Sequence, residues 1–396
     1  MNILIVNVGS TSLKYKLYSF PEEIVLAQGK IERIGSETSF ISHLSLGKAP
    51  IQQQQEIKDY PTAIQLAITL LTDKTHGIID SLTGITAIGF KTVVAKGFSG
   101  AVVLDDQVIS AMASYNSVAP SHNPPYINAI RCFKQLYPEI PLVGLFEPAF
   151  HQEMPEYATT LGVPTSWVER YGIRKYGFHG ASHRYIAERV TEIVGKEHRL
   201  ISCHLGGSSS LCAIKNGKSI DTSMSFSPQS GTIHANRIGD LDPFAVLYVM
   251  DQENLSTAQM RTILCKESGL AGISGIKGGD MRDLTAAAET GNRSAQLAID
   301  SFIYGIQKYI GTYLVALNGL DILVFTGGIG ENSELVRKKV CTGLSFLGIK
   351  LDAAKNTGRG KETAIHTADS TAQIWIIPTN EELIVARAVE HIIKSQ

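Results

Sequence analysis

Two short runs of small residues interrupt strand-like segments, and both could face an anion. The first lies in "VNVGSTSLKYKLY", Val6 to Tyr18, where Asn7, Gly9, Ser10, Thr11 and Ser12 separate an apolar run from an alternating one. The second lies in "RLISCHLGGSSSLCAIKNGKSIDTS", Arg199 to Ser223, with Gly206 to Ser210 at the turn. Small residues at a hairpin turn leave backbone N–H groups and hydroxyls open to a phosphate, although an ordinary Gly/Ser turn has the same composition. "FTGGIGENS", Phe325 to Ser333, ends an apolar strand and opens a helix. Its glycines allow close backbone approach, and a helix N-terminus favours an anion. It has neither the Walker spacing nor a convincing dinucleotide fingerprint.

Other stretches offer charge. "GIKGGDMRDL" sets Asp280, Arg282 and Asp283 beside glycines, as a ligand contact or as a solvated turn. "YGFHGASHRYI" has His179 and His183 at i,i+4 spacing, which suits a metal on a helix, yet the Glu of HExxH and a third ligand are missing. A metal-free role for at least one histidine fits better. "ANRIGDLDP" holds Arg237, Asp240 and Asp242, fit for phosphate, a cation or a structural ion pair. "TNEEL" offers Glu381 and Glu382 to Mg²⁺, or simply to the first turn of a helix.

The elements that must position these groups mix strands and helices. "PTAIQLAITLLTD" has helical spacing, "ITAIGFKTVVA" reads as a strand entering a loop, and "SHNPPYINAIRCFKQLY" as a proline-started helix. "IPLVGLFEPAF" is a strand ending in polar residues, and "SAQLAIDSFIYGIQKYIGTYLVAL" a long helix. "DILVFTGGIGENSELVRKKV" reads as strand, glycine-rich turn, helix, and "AQIWIIPTNEELIVARAVEHIIKS" closes as strand, turn, helix. The class is α/β. The second hairpin, with its Asn216-Gly217 turn into a further strand, echoes the first about half a chain later, which suggests a duplicated domain.

Length and composition agree. The 396 residues exceed one ordinary core, so two domains are expected, with a soft boundary near residues 150–155. A net charge of −1 argues against a general nucleic-acid or acidic-membrane binder. No apolar run is long enough to span a membrane, and the N-terminus enters a strand directly rather than a signal peptide. Cys132, Cys203, Cys212, Cys265 and Cys341 are scattered without a CxxC, as suits reduced thiols in the cytoplasm.

Taken in order, "NVGSTSLKYKLY", "APSHNPP", "AFHQEMP", "YGFHGASHRYI", "CHLGGSSSL", "DTSMSFSP", "NRIGDLDP", "SGLAGISG", "FTGGIGENS" and "TNEELIVAR" resemble the acetokinases, the acetate, propionate and butyrate kinases. The resemblance runs over essentially the whole chain. It implies the duplicated α/β fold shared by acetate and sugar kinases, heat-shock ATPases and actin. The domains would be 1–150, joined by a C-terminal helix at 381–396, and a nucleotide-binding domain at 151–380. It further implies a cytoplasmic homodimer that binds ATP or ADP and a small carboxylate, with no nucleic-acid or membrane partner. The reaction would be reversible, in-line transfer of a phosphoryl group from ATP to acetate, giving acetyl phosphate, with Mg²⁺.

By the same resemblance, Lys91, Glu147, His179 and Arg237 would be catalytic. Lys91, Val93, Ser121, His122, Phe178 and Pro228 would bind the carboxylic acid. Lys14, His204, Gly206, Gly207, Ser208, Asp280, Met281, Arg282 and Asp283 would seat the nucleotide, together with Gly327, Gly328, Ile329, Gly330, Glu331 and Asn332. Asn7 and Glu381 would hold the metal. Cationic and hydrogen-bonding side chains suit phosphoryl oxygens, and a carboxylate suits a hard cation.

Four departures from the family pattern cluster around the acyl and phosphoryl positions. "GFKTVVAKG" replaces "GHRVVHGG", so Lys91 stands for an arginine, with Lys96 nearby. Lysine keeps the charge but loses the planar fork. "FEPAFHQ" replaces "FDTAFHQ", placing Glu147 and Pro148; "HLGGSSS" puts Gly207 where an asparagine is usual; "APSHNP" puts Ser121 where a leucine is usual. Three readings stay open from sequence: an acetate kinase with an unusual site, a kinase for another short-chain or hydroxy acid, or a weakly active nucleotide-binding relative.

Overall fold

Strand β1, Asn2–Val8, is almost wholly apolar and nearly all of it is buried, as expected of a central strand. It pairs antiparallel with β2 (Ser12–Ser19) and parallel with β6 (Ala87–Thr92). In the computed structural model, which describes residues 1–9, 11–195, 197–357 and 360–395, the chain divides into two units. Met1–Ala149 with Asn380–Gln396 form the first, and Phe150–Thr379 the second. Ser10, in the first hairpin turn, lies outside the described residues.

Unit 1 adds β3 (Ile24–Glu32), β4 (Ser36–Ser45), β5 (Ile51–Ile57), β7 (Ala101–Val103) and β8 (Leu142–Phe146). The sheet order is β5-β4-β3-β2-β1-β6-β8-β7. Leu13, Tyr15 and Leu17 of β2 are buried while Lys14 is exposed, so one face of this part of the sheet turns to the core and the other does not. Helix Tyr60–Thr72 starts at Asp59, whose carboxylate accepts from the Thr62 N–H at 2.9 Å. Helix Asn123–Leu136 carries Pro124 and Pro125 in its first turn, where the missing N–H groups cost nothing. Helix Glu381–Lys394 buries Ile384, Val385, Ala386 and Val389. At Gly89 of β6 an added Cβ would lie 2.7 Å from Val389 Cγ2, so the bare backbone there lets the helix dock.

Unit 2 holds β9 (Arg199–Leu205), β10 (Ser209–Lys215), β11 (Lys218–Thr222), β12 (Ile322–Thr326), β13 (Thr363–Ala364) and β14 (Gln373–Ile376). Its order is β11-β10-β9-β12-β14-β13. Three antiparallel strands, two parallel ones and a short antiparallel edge repeat the β3-β2-β1-β6-β8-β7 part of the first sheet. The echo between the two hairpins is therefore one of topology. Asn216 (φ 52) and Gly217 (φ 79) supply the two positive φ values that the tight β10–β11 turn needs. The 25-residue helix Arg293–Leu317 buries Ala295, Ile299, Phe302, Ile306, Ile310, Tyr313 and Leu317 along one stripe.

The glycine-rich segment after β12 differs from the expected turn. It is itself a short helix, Gly327–Asn332, followed by another over Glu334–Thr342. Gly327 enters it at φ 76, and an added Cβ would sit 2.8 Å from the Leu205 carbonyl oxygen. Only glycine meets both conditions. The five cysteines are all free, and no helix among the described residues is long and apolar enough to cross a membrane.

Candidate active site

In unit 1 the polar ends of β1, β6 and β8 meet the first turn of helix Glu381–Lys394. Lys91 Nζ lies 2.5 Å from Glu381 Oε2 and 3.2 Å from Glu147 Oε1. Glu147 is 5% exposed and Glu381 15%, so two carboxylates share one ammonium largely out of water. Burial disfavours the Lys91 charge, but Glu147 and Glu381 outweigh it and hold its pKa well above the ordinary lysine range. Burial, above all, pushes the Tyr126 phenol beside this cluster up to about 12, so it stays protonated.

Asn7 stands at the end of β1. Its Nδ2 donates to Glu382 Oε1 at 2.9 Å, and among the described residues its buried Oδ1 accepts no hydrogen bond. Glu382 is also 3.6 Å from Lys16 Nζ. His122 caps helix Asn123–Leu136, Val93 is buried just beyond β6, and Ser121 is exposed. The serine that stands for the family's leucine therefore does not line a buried wall. Lys96 is likewise exposed, and Lys14 points from the open sheet face.

Unit 2 collects the histidines. His179 is not on a helical face with His183, as the i,i+4 spacing suggested. It is the residue before helix Gly180–Val194, with left-handed backbone at φ 56. Positive φ is uncommon outside glycine, with Asn, Asp and His the more frequent exceptions, and non-glycine residues so placed cluster at functional sites. Both histidines converge on one hydroxyl. Ser210 Oγ lies 2.8 Å from His179 Nδ1 and 2.8 Å from His183 Nε2. His183 Nδ1 meets Ser202 Oγ at 2.9 Å, and His204 Nδ1 meets Ser182 Oγ at 2.8 Å. The His179 and His204 ring centroids lie 4.2 Å apart. Among the described residues no group of three or more His, Cys, Asp or Glu is placed to hold a metal.

Arg237 is 9% exposed, and its Nη1 donates to the Pro228 carbonyl oxygen at 2.8 Å. Among the described residues of unit 2 it has no carboxylate partner, so of the three uses that its segment left open the structural ion pair with Asp240 or Asp242 is not formed. Asp240 accepts from the Gly231 N–H at 2.8 Å, and Asp242 caps helix Pro243–Glu253. Burial lowers the Arg237 pKa to about 10, so it is still a cation at neutral pH. A buried cation with spare N–H donors calls for an anion. Phe178 is buried, and Pro228 is fixed by that arginine bond.

The expected nucleotide segments divide. Gly207 is exposed with open space around it, as is Gly328, and Ser208 is half-buried beside them. The Gly206–Ser208 turn is held by Ser209, whose hydroxyl meets both the N–H and the carbonyl of Gly206. Gly330 is buried instead: an added Cβ would lie 3.4 Å from the Phe325 carbonyl carbon, and Arg337 donates to its oxygen at 2.8 Å. Substituting Gly330 would test packing rather than ligand approach, whereas Gly328 has room. Glu331 turns back onto the Gly327 N–H at 2.9 Å, Asn332 caps onto the Gly328 carbonyl, and Ile329 packs on the core. Asp280 caps helix Met281–Glu289 and pairs with Arg282 at 2.7 Å, an exposed pair. Asp283 lies in that helix's first turn, and Met281 is a core side chain at 4% exposure.

Sequence reasoning missed two histidines. His234 Nδ1 accepts from the Ser209 N–H at 3.0 Å and so fixes the Gly206 turn. Burial first, then Arg237, pushes its pKa down to about 3. His151 Nδ1 bonds Ser219 Oγ at 2.8 Å, and burial takes it down to about 4. Both lie in segments with apolar neighbours. His234 stands three residues before Arg237, the one signal that could have drawn notice.

Residues 2–387 match the model of the acetokinase family. The chain belongs to the acetokinase family. It is 46% identical to an acetate kinase of Carboxydothermus hydrogenoformans over 98% of both chains. Among solved structures it resembles Porphyromonas gingivalis acetate kinase (37% identity, TM-score 0.87, 99% of both chains). It also resembles a propionate kinase of Francisella tularensis (35%, TM-score 0.89, 98% of both chains). The two related sheets described above are the fold that these family members share with this chain.

Proposed function

We propose that the chain is an ATP-dependent acetate kinase, moving the γ-phosphoryl group reversibly between ATP and the acetate carboxylate. The observation that carries this reading is the full-length likeness to enzymes named acetate kinase. The geometry is compatible with it. In-line phosphoryl transfer asks for positioning and charge neutralisation rather than covalent help. Arg237 supplies a buried, fork-shaped cation short of an anion. His179, held by Ser210 and with its ring 4.2 Å from that of His204, supplies a directed ring in the same unit. Gly207 and Gly328, both exposed, leave room for a phosphate to approach the backbone.

In unit 1, Lys91 would face the acyl carboxylate. Its two present partners must share it with the incoming anion, and Glu147 orients the ammonium. The donor set fits a hard divalent cation: an orphaned amide oxygen on Asn7 and the carboxylates of Glu381 and Glu382. Asn7 and Glu381 would hold Mg²⁺, which when bound neutralises phosphate charge. We further read the protein as a cytoplasmic homodimer. Helix Pro243–Glu253 buries none of its residues, yet Phe244 is 75% exposed, with Leu247 and Tyr248 beside it. An apolar helix left so open suits a second copy.

A second reading, a kinase for another short-chain or hydroxy acid, draws on the departures at Lys91 and Glu147, whose side chains pair at 3.2 Å in this cluster. A hydroxamate assay with ATP, Mg²⁺ and a panel of acids separates the two. Highest kcat/KM with acetate supports the first, and selective turnover of another acid replaces it.

A further inference from the structure

The open face of the unit 1 sheet carries a cavity of about 400 Å³ whose floor is a register of cations. Strand pairing sets Asn7, Lys14, Lys30, Ser42 and Gln52 in one row across β1 to β5. A second row runs Ile5, Lys16, Gln28 and Leu44. Lys14 faces Lys30 directly, and like charges so placed repel. What neutralises them is thin. Lys30 meets Glu32 at 3.0 Å, with both side chains about 40% exposed (41% and 39%). Lys16 lies 3.6 Å from Glu382. Among the described residues Lys14 has no carboxylate partner. Ile5, Leu44, Pro50 and Ile51 add apolar wall, so the cavity is concave and part greasy, unlike a merely solvated charged face.

We propose that this cavity is a binding site for a compact polyanion, a phosphorylated or polycarboxylic small molecule with at least two negative charges. Its recognition comes from Lys14, Lys16 and Lys30, with hydrogen bonds from Ser42 and Gln52. The site is wired to the charge cluster of the same unit. Lys16 leans on Glu382, and Glu382 holds the Asn7 amide. An anion that draws Lys16 away frees Glu382 and changes the hold on Asn7, so occupancy modulates whatever Asn7 and Glu381 bind. The inference goes beyond the phosphoryl-transfer reading: the cavity shares Lys14 and Asn7 with that reading's nucleotide and metal sets, while Lys16, Lys30, Ser42 and Gln52 belong to neither.

The test is calorimetry on the full chain without metal, using pyrophosphate and tricarballylate as probes. Saturable binding of either supports the site, and the tighter probe says whether phosphoryl or carboxylate chemistry fills it. Lys30→Met should weaken that binding on the order of tenfold, the worth of one charged hydrogen bond, with the melting temperature as the control for folding. Ser42→Asp, which adds repulsion at a half-exposed position, should do the same if Lys30→Met folds poorly. Equal binding in both variants, or no binding at millimolar probe, would each overturn the proposal. None of those results bears on whether acetate is phosphorylated.

Discussion

The two hairpins that open the two sheets share a topology and differ in what they present. In the first, Asn7 pairs across the ladder with Lys14; in the second, the corresponding positions before and after the turn are His204 and Ser210. Strand β2 alternates between buried and open, so its lysines face outward, whereas β10 is buried at every residue but the last. The consequence is chemical. Unit 1 gathers formal charges: Lys91, Glu147, Glu381 and, beside them, Lys16 and Glu382. Unit 2 gathers neutral donors and acceptors, with serine hydroxyls beside imidazoles, of which burial keeps His151, His183 and His234 unprotonated, and with Arg237 as the cation left without a carboxylate among the described residues. The same strand order has therefore yielded one half of paired formal charges and another of fixed dipoles, with Arg237 as the cation of its site.

Removing that cation should have the largest effect. Arg237→Ala should lower kcat on the order of 10²-fold or more while changing ATP affinity less, because its interaction grows as charge moves onto the phosphoryl group. Arg237→Lys should recover little, having lost the fork. Measuring kcat and melting temperature on the same preparations decides the role. A fall in stability with unchanged turnover of the folded fraction makes Arg237 structural.

In the charged half the largest expected effect is on stability. Lys91→Met leaves Glu147 and Glu381 without their shared cation, and breaking a buried ion pair costs about 3–5 kcal/mol. Urea denaturation reads this directly, and Lys91→Arg should keep most of the stability. A loss below about 1 kcal/mol, the range of exposed pairs, would show that the cluster is effectively solvated. Glu147→Gln should also reduce turnover. Glu147→Asp need not improve it, because the shorter side chain withdraws from Lys91.

The neutral half should show itself in acid. The pKa values of His151, His183 and His234 are depressed by burial, to about 4 for His151 and about 3 for His234. An unfolded histidine takes up a proton near pH 6.5 while these do not. Stability is therefore fully present above about pH 6.5 and is lost as pH falls toward the folded values, at about 1.4 kcal/mol per pH unit for each histidine. In unit 1 His43 is likewise buried and shifted down. Hydrogen exchange between pH 7 and 5 should show β9 and β10 losing protection before β1 and β6. The reverse order would contradict the assignment of neutral and charged halves.

Much of the fold was legible because it is written in periods. The alternation of β2, the apolar runs of β1 and β12, and the stripe of Arg293–Leu317 each specify one element, and the Asn-Gly pair specifies a turn. What was not legible rests on distance or on strain. The helix Gly327–Asn332 hides behind glycines, each about 1 kcal/mol less favourable in a helix than alanine; close packing under Leu205 and Phe325 overrides that preference. The i,i+4 spacing of His179 and His183 implied a shared helical face, which the left-handed backbone at His179 removes. Lys91 finds Glu381 across 290 residues, a pairing set by strand order that no local pattern encodes. The resemblance to the acetokinases named Lys91, Glu147 and Arg237, but not the His234 that pins the Gly206 turn. The smallest prediction concerns the other turn. Tyr60 OH donates to the Gly9 carbonyl and, at 3.3 Å, to that of Ser12. Tyr60→Phe should therefore cost about 0.5–1.5 kcal/mol, read by thermal melting, while an equal loss from Ser209→Ala in the second hairpin would show the two turns to be equally braced.

The most direct test of the account is ³¹P NMR of the purified chain with ATP, Mg²⁺ and acetate. The account predicts that the acetyl phosphate resonance grows in step with ADP, and that both fall away when Arg237 is replaced by alanine. ADP accompanied only by inorganic phosphate, or ATP that is bound and never consumed with acetate or any other acid supplied, would contradict it.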